Sequence, residues 1–199
     1  MEQTFTLYLK LLFMMTPFFV LSVFLTLSKH LSAIAKKTLI IKFGIAISIT
    51  SLLFLLFGKY IFSLFGITLD AFKIGAGSVL FLSALDMIRK SATDLPEPST
   101  KGGGDFAVVP LAIPVTIGPG MIGILMVIGA ELEGFIDLVE VIIALSGAVA
   151  SLLGILFMSE KLHRLLGPQG LEILPKIIGL FVSAIAAQIV FSGIQGFLQ

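Results

Sequence analysis

Val108-Val109-Pro110-Leu111-Ala112-Ile113-Pro114-Val115-Thr116-Ile117-Gly118-Pro119-Gly120 sets three prolines and two glycines into one apolar stretch. Met15-Thr16-Pro17-Phe18 interrupts an earlier apolar stretch in the same way, about 102 residues before. Proline has no amide hydrogen and collides with the carbonyl four residues back, so neither stretch is expected to run as one unbroken helix. Interruptions at matching places in two halves of a hydrophobic chain are the sequence mark of a transporter binding site.

The surroundings of the two breaks decide the class. Of 199 residues, 57% are hydrophobic and 13% charged, and the mean hydropathy is +1.13. Ordinary soluble domains are less apolar and carry about twice that share of charge. Apolar runs at 7–27, 39–57, 71–88, 106–130, 138–158 and 173–197 each come near the roughly 20 residues that cross a bilayer. The expected fold is all-α and membrane-embedded, with six transmembrane helices of which the first and fourth are broken. The first run is too long for the core of a signal peptide, and Lys29, Lys36 and Lys37 crowd the place where cleavage would fall. A net charge of +1 and the lack of a basic stripe interleaved with aromatics set nucleic acid aside. Without cysteine there is no thiolate nucleophile, disulfide framework or Cys-based metal site.

Lysines and arginines set the orientation. Lys29, Lys36, Lys37, Lys42, Arg89, Lys90, Lys101, Lys161, Arg164 and Lys176 follow odd-numbered spans, and only Lys10, Lys59 and Lys73 fall on the other side. The odd connections are therefore expected in the cytoplasm and both termini outside. Pro96, Pro98 and Gly102-Gly103-Gly104 mark a linker at 91–105. It separates a first three-helix repeat, 1–90, from a second, 106–199. The offset that aligns Thr16-Pro17 with Gly118-Pro119 also aligns Gly44, Ala46 and Ser48 with Ser146, Ala148 and Ala150. With small shifts, 59–66 falls on 161–167. Halves of three spans each run through the membrane in opposite senses, which makes the repeat inverted.

The breaks carry the chemistry. Pro17 should free the carbonyl of Phe13, and Pro114 that of Pro110. With Gly118 as cap and Pro119 as first residue of a half-helix, the amides of Gly120, Met121 and Ile122 should face a cavity and suit an anion. Carbonyls ending the preceding half-helix suit a cation. Amides on one side and carbonyls on the other fit a zwitterion, so the candidate substrate-binding residues are Thr16, Pro17, Thr116, Gly118, Pro119 and Gly120. Ser22 and Ser78 offer further hydroxyls to the lining, but read first as interhelical packing or backbone bonding. Asp86 reads as an interfacial ion pair with Arg89 or Lys90, and the sharper alternative is a proton relay. Ser146, Ala150 and Gly154, like Gly179, Ser183 and Ala187, read as close-packing faces. Gln188 lines the cavity or bonds a neighbouring helix. His30 and His163 have no partner at metal-ligand spacing, so no metal is expected. No clustered nucleophile and base marks an enzyme, and no cofactor is expected beyond a coupling ion, H+ or Na+, whose identity stays open.

The stretch from Val108 to Gly120 resembles the MarC family of bacterial and archaeal membrane proteins, within the wider LysE-like transporter group. Leu64-Phe65-Gly66-Ile67, the run from Asp70 to Gly77, and the ending from Ile177 through Ser192-Gly193-Ile194 carry the same resemblance over nearly the whole chain. It implies a multi-pass inner-membrane protein of two inverted halves, some of whose relatives look like transporters of small neutral amino acids. One departure stands out. The family usually sets an acidic or amide residue before the first proline and a glycine, an asparagine and a second proline after it, where this chain has Thr16-Pro17-Phe18-Phe19-Val20-Leu21-Ser22. The first break is therefore expected to be a milder kink than the second. Two functions follow: a secondary transporter of a small neutral solute, with an amino acid expected, or a non-transporting structural or regulatory membrane subunit.

Overall fold

The computed structural model describes residues 2–29, 31–89, 112 and 116–198. The linker at 91–105, His30, Pro110 and Pro114 lie outside the described residues. The regular structure of the described residues is helical: α1 Glu2–Met14, α2 Pro17–Leu27, α3 Ala33–Phe65, α4 Leu69–Arg89, α5 Pro119–Glu131, α6 Phe135–Phe157 and α7 Ser159–Leu198. Five stretches are long and apolar enough to cross a bilayer: Thr4–Leu27 (α1 with α2), Ala33–Gly58, Leu69–Arg89, Phe135–Phe157 and Gln169–Leu198. α5 is apolar but shorter, the described remainder of the fourth apolar run.

Local chemistry sets the helix ends. The Ser32 hydroxyl accepts the amide of Ala35 at 3.3 Å and starts α3. Gly66, at φ 63°, stops it, with the Ile67 amide folding back to Phe62 O at 3.1 Å in a Schellman turn. α3 is longer than its apolar core at 39–57 suggests. Its 33 residues span about 50 Å, so its ends overrun a hydrocarbon layer about 30 Å thick. Gly167, at φ 64° and ψ 178°, interrupts α7, so a short amphipathic start precedes the long apolar segment. A side chain at either glycine would be strained by the backbone alone.

The helices pack in a definite pattern: α1 on α6, α3 on α5, α4 on α7, with α2 against α7, α5 against α4, and α3 against α6. α4 and α7 lie antiparallel, since Gly77 meets Val190 and Gly179 meets the carbonyl of Ala84. α3 and α5 cross with backbones almost touching, Gly129 against the carbonyl of Leu55 and Gly58 against Met126. This close approach of small residues is how helices associate in lipid, where burial of apolar surface supplies little. The expected packing faces divide accordingly. Gly179 is buried against α4, whereas Ser146 and Ala150 face outward and α6 buries Val141, Ala144, Leu145, Ala148, Val149, Leu152 and Leu156 instead. Large apolar side chains such as Ile45, Ile49, Phe181 and Phe191 cover the exterior, as a bilayer requires.

Two ion pairs join the halves at opposite ends of the bundle. Lys36 at the start of α3 meets Glu160 at the start of α7 at 2.9 Å, and Lys73 of α4 meets Glu131 at the end of α5 at 2.6 Å. Asp70 stands 3.9 Å from Lys73 on the same helix.

Candidate functional site

The first break is a complete interruption, not a mild kink. Pro17 is the first residue of α2, and Thr16 before it adopts φ 50° and ψ 57°. Thr16 is the one non-glycine residue at positive φ among the described residues. A β-branched side chain pays heavily for this left-handed conformation, so the surrounding structure must hold it there. The correction has a local cause. Although the neighbours of Pro17 are apolar, the proline ring alone forbids the helix bond, and the chain turns left-handed to restart.

The bonds around the break follow from that turn. The Thr16 amide donates to Phe13 O at 2.9 Å, one residue short of the helical partner, and the Val20 amide donates to Thr16 O at 3.0 Å. Phe13 O, expected free, is therefore satisfied. Pro17 brings no donor. The amides of Phe18 and Phe19 are the orphan donors of the first turn of α2.

The side chain of Thr16 does not cap α2. Thr16 is 8% exposed, and its Oγ1 is buried without a hydrogen-bond partner. An unsatisfied buried hydroxyl costs about 1–3 kcal/mol. One residue thus carries both a strained backbone and an orphaned polar group, at the depth where the sequence places the centre of a span. Ser51, fully buried in α3, holds the other partnerless buried hydroxyl among the described residues. Nothing in its apolar run singled it out.

The second break closes differently. The Ile117 amide reaches back five residues to Ala112 O at 2.9 Å, a wide π-type turn, before Gly118 in extended conformation and Pro119 open α5. Such wide turns recur at functional sites. The Ile122 amide, expected to face the cavity, instead donates to Gly118 O at 3.0 Å, which leaves those of Gly120 and Met121 as the first-turn donors. Thr116 is buried and its polar group is engaged. Gly120 is buried against α4, where an added Cβ would stand 2.8 Å from Leu80 Cα. Its lack of a side chain therefore serves helix packing.

Met15 at the first break and Ile117 and Met121 at the second belong to one continuous buried cluster that also includes α6 and α7 residues such as Leu152 and Val182. The flanking polar residues are satisfied or outward. Ser22 Oγ donates to Phe18 O at 3.0 Å and lies 3.3 Å from Leu171 O on α7, and Ser78 Oγ donates to Ile74 O at 2.7 Å. Gln188, expected in the cavity or on a neighbouring helix, is exposed, as are His163 and Asp86, the last with a partner.

The profile of the MarC family integral membrane proteins matches residues 1–198. A UPF0056 membrane protein of Methanocaldococcus jannaschii is 35% identical over 193 residues, covering 92% of both chains. One from Pyrococcus horikoshii is 32% identical over 183 residues, covering 90% of this chain and 88% of its own. The UPF0056 inner membrane protein YhgN of Escherichia coli is 28% identical over 189 residues, with 95% and 94% covered. No solved structure matches. The chain belongs to the MarC family of integral membrane proteins.

Proposed function

We propose that the protein is a secondary transporter of a small neutral amino acid, built from six spans in two inverted three-helix halves and working by alternating access around the two breaks. It would reside in the inner membrane, as the name of the Escherichia coli relative has it, with both termini outside. The helix pairings support the repeat. Exchanging the halves turns the α2–α7 contact into the α5–α4 contact and the α2–α6 contact into the α5–α3 contact, while α4–α7 and α3–α6 map onto themselves. The two glycines at positive φ, Gly66 and Gly167, also fall at the positions that the repeat equates.

The observation that carries the reading is Thr16. Strain and an unpaired buried hydroxyl together at one residue are retained where a ligand or a second conformation uses them. First-turn amides of α2 and α5 supply positive partial charge for a carboxylate, and the C-terminal end of α1 supplies negative partial charge for an ammonium. Thr16, Pro17, Thr116, Gly118, Pro119 and Gly120 make up the proposed site, with Gly120 acting through packing. H+ or Na+ would drive the cycle.

Uptake and exchange of labelled glycine, alanine and larger amino acids by proteoliposomes test this. The parent should move small neutral ones, and Thr16→Val, which keeps the shape and removes the hydroxyl, should cut uptake at least tenfold while the protein stays folded. If no amino acid is taken up or exchanged, the substrate reading is wrong. The burial of Thr16 also favours a second reading, a non-transporting membrane subunit with a closed centre. Cysteine at Thr16 or Thr116 would then resist water-soluble thiol reagents from both sides, whereas labelling that changes side with solute supports transport.

A further inference from the structure

On the outer face of the bundle, α3 and α6 leave a groove of about 390 Å³ lined by Ile41, Gly44, Ile45, Ser48, Leu153 and Phe157. Gly44 forms its floor, because Leu153 of α6 lies where a Cβ would be. Ile41, Ile45 and Ile49 stand half exposed along one wall and Phe157 along the other. A narrow apolar trough on a membrane-facing surface suits flexible hydrocarbon. A helix is about 10 Å across with its side chains and would bridge the trough without filling it.

The end of the groove nearest the start of α3 has a different character. Lys37 shares a face with Ile41, Gly44 and Ser48 at the spacing of successive helical turns. Helical side chains lean toward the N-terminus, so Lys37 leans away from the apolar lining and toward the membrane surface, its stem over apolar wall and its ammonium at the interface. Across from it, the Lys36–Glu160 pair at 2.9 Å fixes the start of α7 against the start of α3. This brings Lys161, four residues after Phe157 and across the α6–α7 junction, to the same end, with Arg164 following. Both cations are exposed. Neither first turn carries an acid other than Glu160, which Lys36 already occupies.

We propose that this groove is a binding site for an anionic phospholipid, with an acyl chain lying along Ile41, Ile45 and Leu153 and the phosphate held between Lys37 and Lys161. An apolar slot opening onto a cluster of cations at the bilayer surface matches the two ends of such a molecule, and cations of this kind recognise anionic headgroups. The site lies away from the two breaks and does not depend on transport.

Native mass spectrometry of the detergent-purified protein, titrated with phosphatidylglycerol or phosphatidylcholine of matched chains, tests the assignment. The parent should retain one phosphatidylglycerol much more tightly than phosphatidylcholine. Lys37→Gln and Lys161→Gln should each weaken phosphatidylglycerol retention roughly fivefold and leave phosphatidylcholine unchanged. Ile45→Trp, which fills the trough from its exposed wall, should weaken both lipids. Equal retention of the two lipids by the parent overturns the proposal, as does undiminished phosphatidylglycerol binding by the double lysine variant. A dimer that Ile45→Trp splits without changing lipid retention would assign the groove to a second copy of the chain instead.

Discussion

At the first break Thr16 turns left-handed and leaves its hydroxyl buried and unpaired, whereas at the second Ile117 reaches back to Ala112 and the Thr116 hydroxyl is engaged. The first interruption thus joins a strained backbone and an unpaired hydroxyl in one residue. The difference continues into the helices that follow. α5 starts with Gly120, tight against Leu80, while Phe18 holds the corresponding place in α2, which is tied to α7 through Ser22. The second break is thus locked by packing, and the first is held in strain. A tightly packed element is suited to act as scaffold. A strained one with an unmet polar group is suited to respond to a ligand, since binding can repay what folding left unsatisfied.

Gly120→Leu should break the scaffold and have the largest effect. The new Cβ would stand 2.8 Å from Leu80 Cα and 3.0 Å from Leu80 Cβ, so α5 has to move off α4. Overpacking of this kind costs about 1–3 kcal/mol, and the misplaced half-helix should abolish uptake even where the protein survives purification. Gly118→Ala, two residues earlier at φ −79°, puts no strain on its backbone and should leave thermal stability nearly unchanged even where uptake falls. Thermal unfolding in detergent and uptake, measured on both variants, separate the two; equal damage would mean that the break itself is intolerant and that α4 contact is not the reason.

The same isosteric change at the two threonines should act in opposite directions. Thr16→Val replaces an orphaned hydroxyl by a methyl group and should stabilise by about 1 kcal/mol while transport falls. Thr116→Val strips a partner from an engaged group and should destabilise by about 1 kcal/mol. Tm shifts of the same sign would erase the contrast between the breaks.

The sequence made the membrane class and the positions of both breaks legible, because these rest on local rules: apolar run length and proline's missing donor. It misjudged the relative severity of the breaks. Counting polar residues near Pro17 suggested a mild kink, yet the backbone state of Thr16 depends on how α1 and α2 are each anchored to α6 and α7, which no local pattern records. The stripe Ser146, Ala150 and Gly154 failed for a related reason. Small residues at helical spacing fit a partner, but the bulky face of α6 found the core and the small face met the outside. The role of Gly120 was half legible: its place at a helix start was readable, and Leu80 against it was not.

The smallest effect should come from the tie that fastens the first break's far end. Lys36, just after the α2–α3 connection, holds Glu160 of the second half, as Lys73 holds Glu131 at the end of α5. The hydrogen bond from Lys36 and then its charge, with a smaller contribution from Arg164, hold the Glu160 carboxyl below its ordinary range against the opposing effect of desolvation. A carboxyl whose value is lowered by folding stabilises at pH above its unfolded value of about 4.3, and that contribution disappears as pH falls through the lowered value. Glu160 is solvent-exposed, so the loss should be slight and screened by salt. Amide exchange at 33–36 and 159–162 should therefore speed up on acidification in the parent and show no such step in Glu160→Gln. A parent indistinguishable from that variant across the acid range would mean that the pair does not hold the halves together, and that the strain at Thr16 is maintained by packing alone.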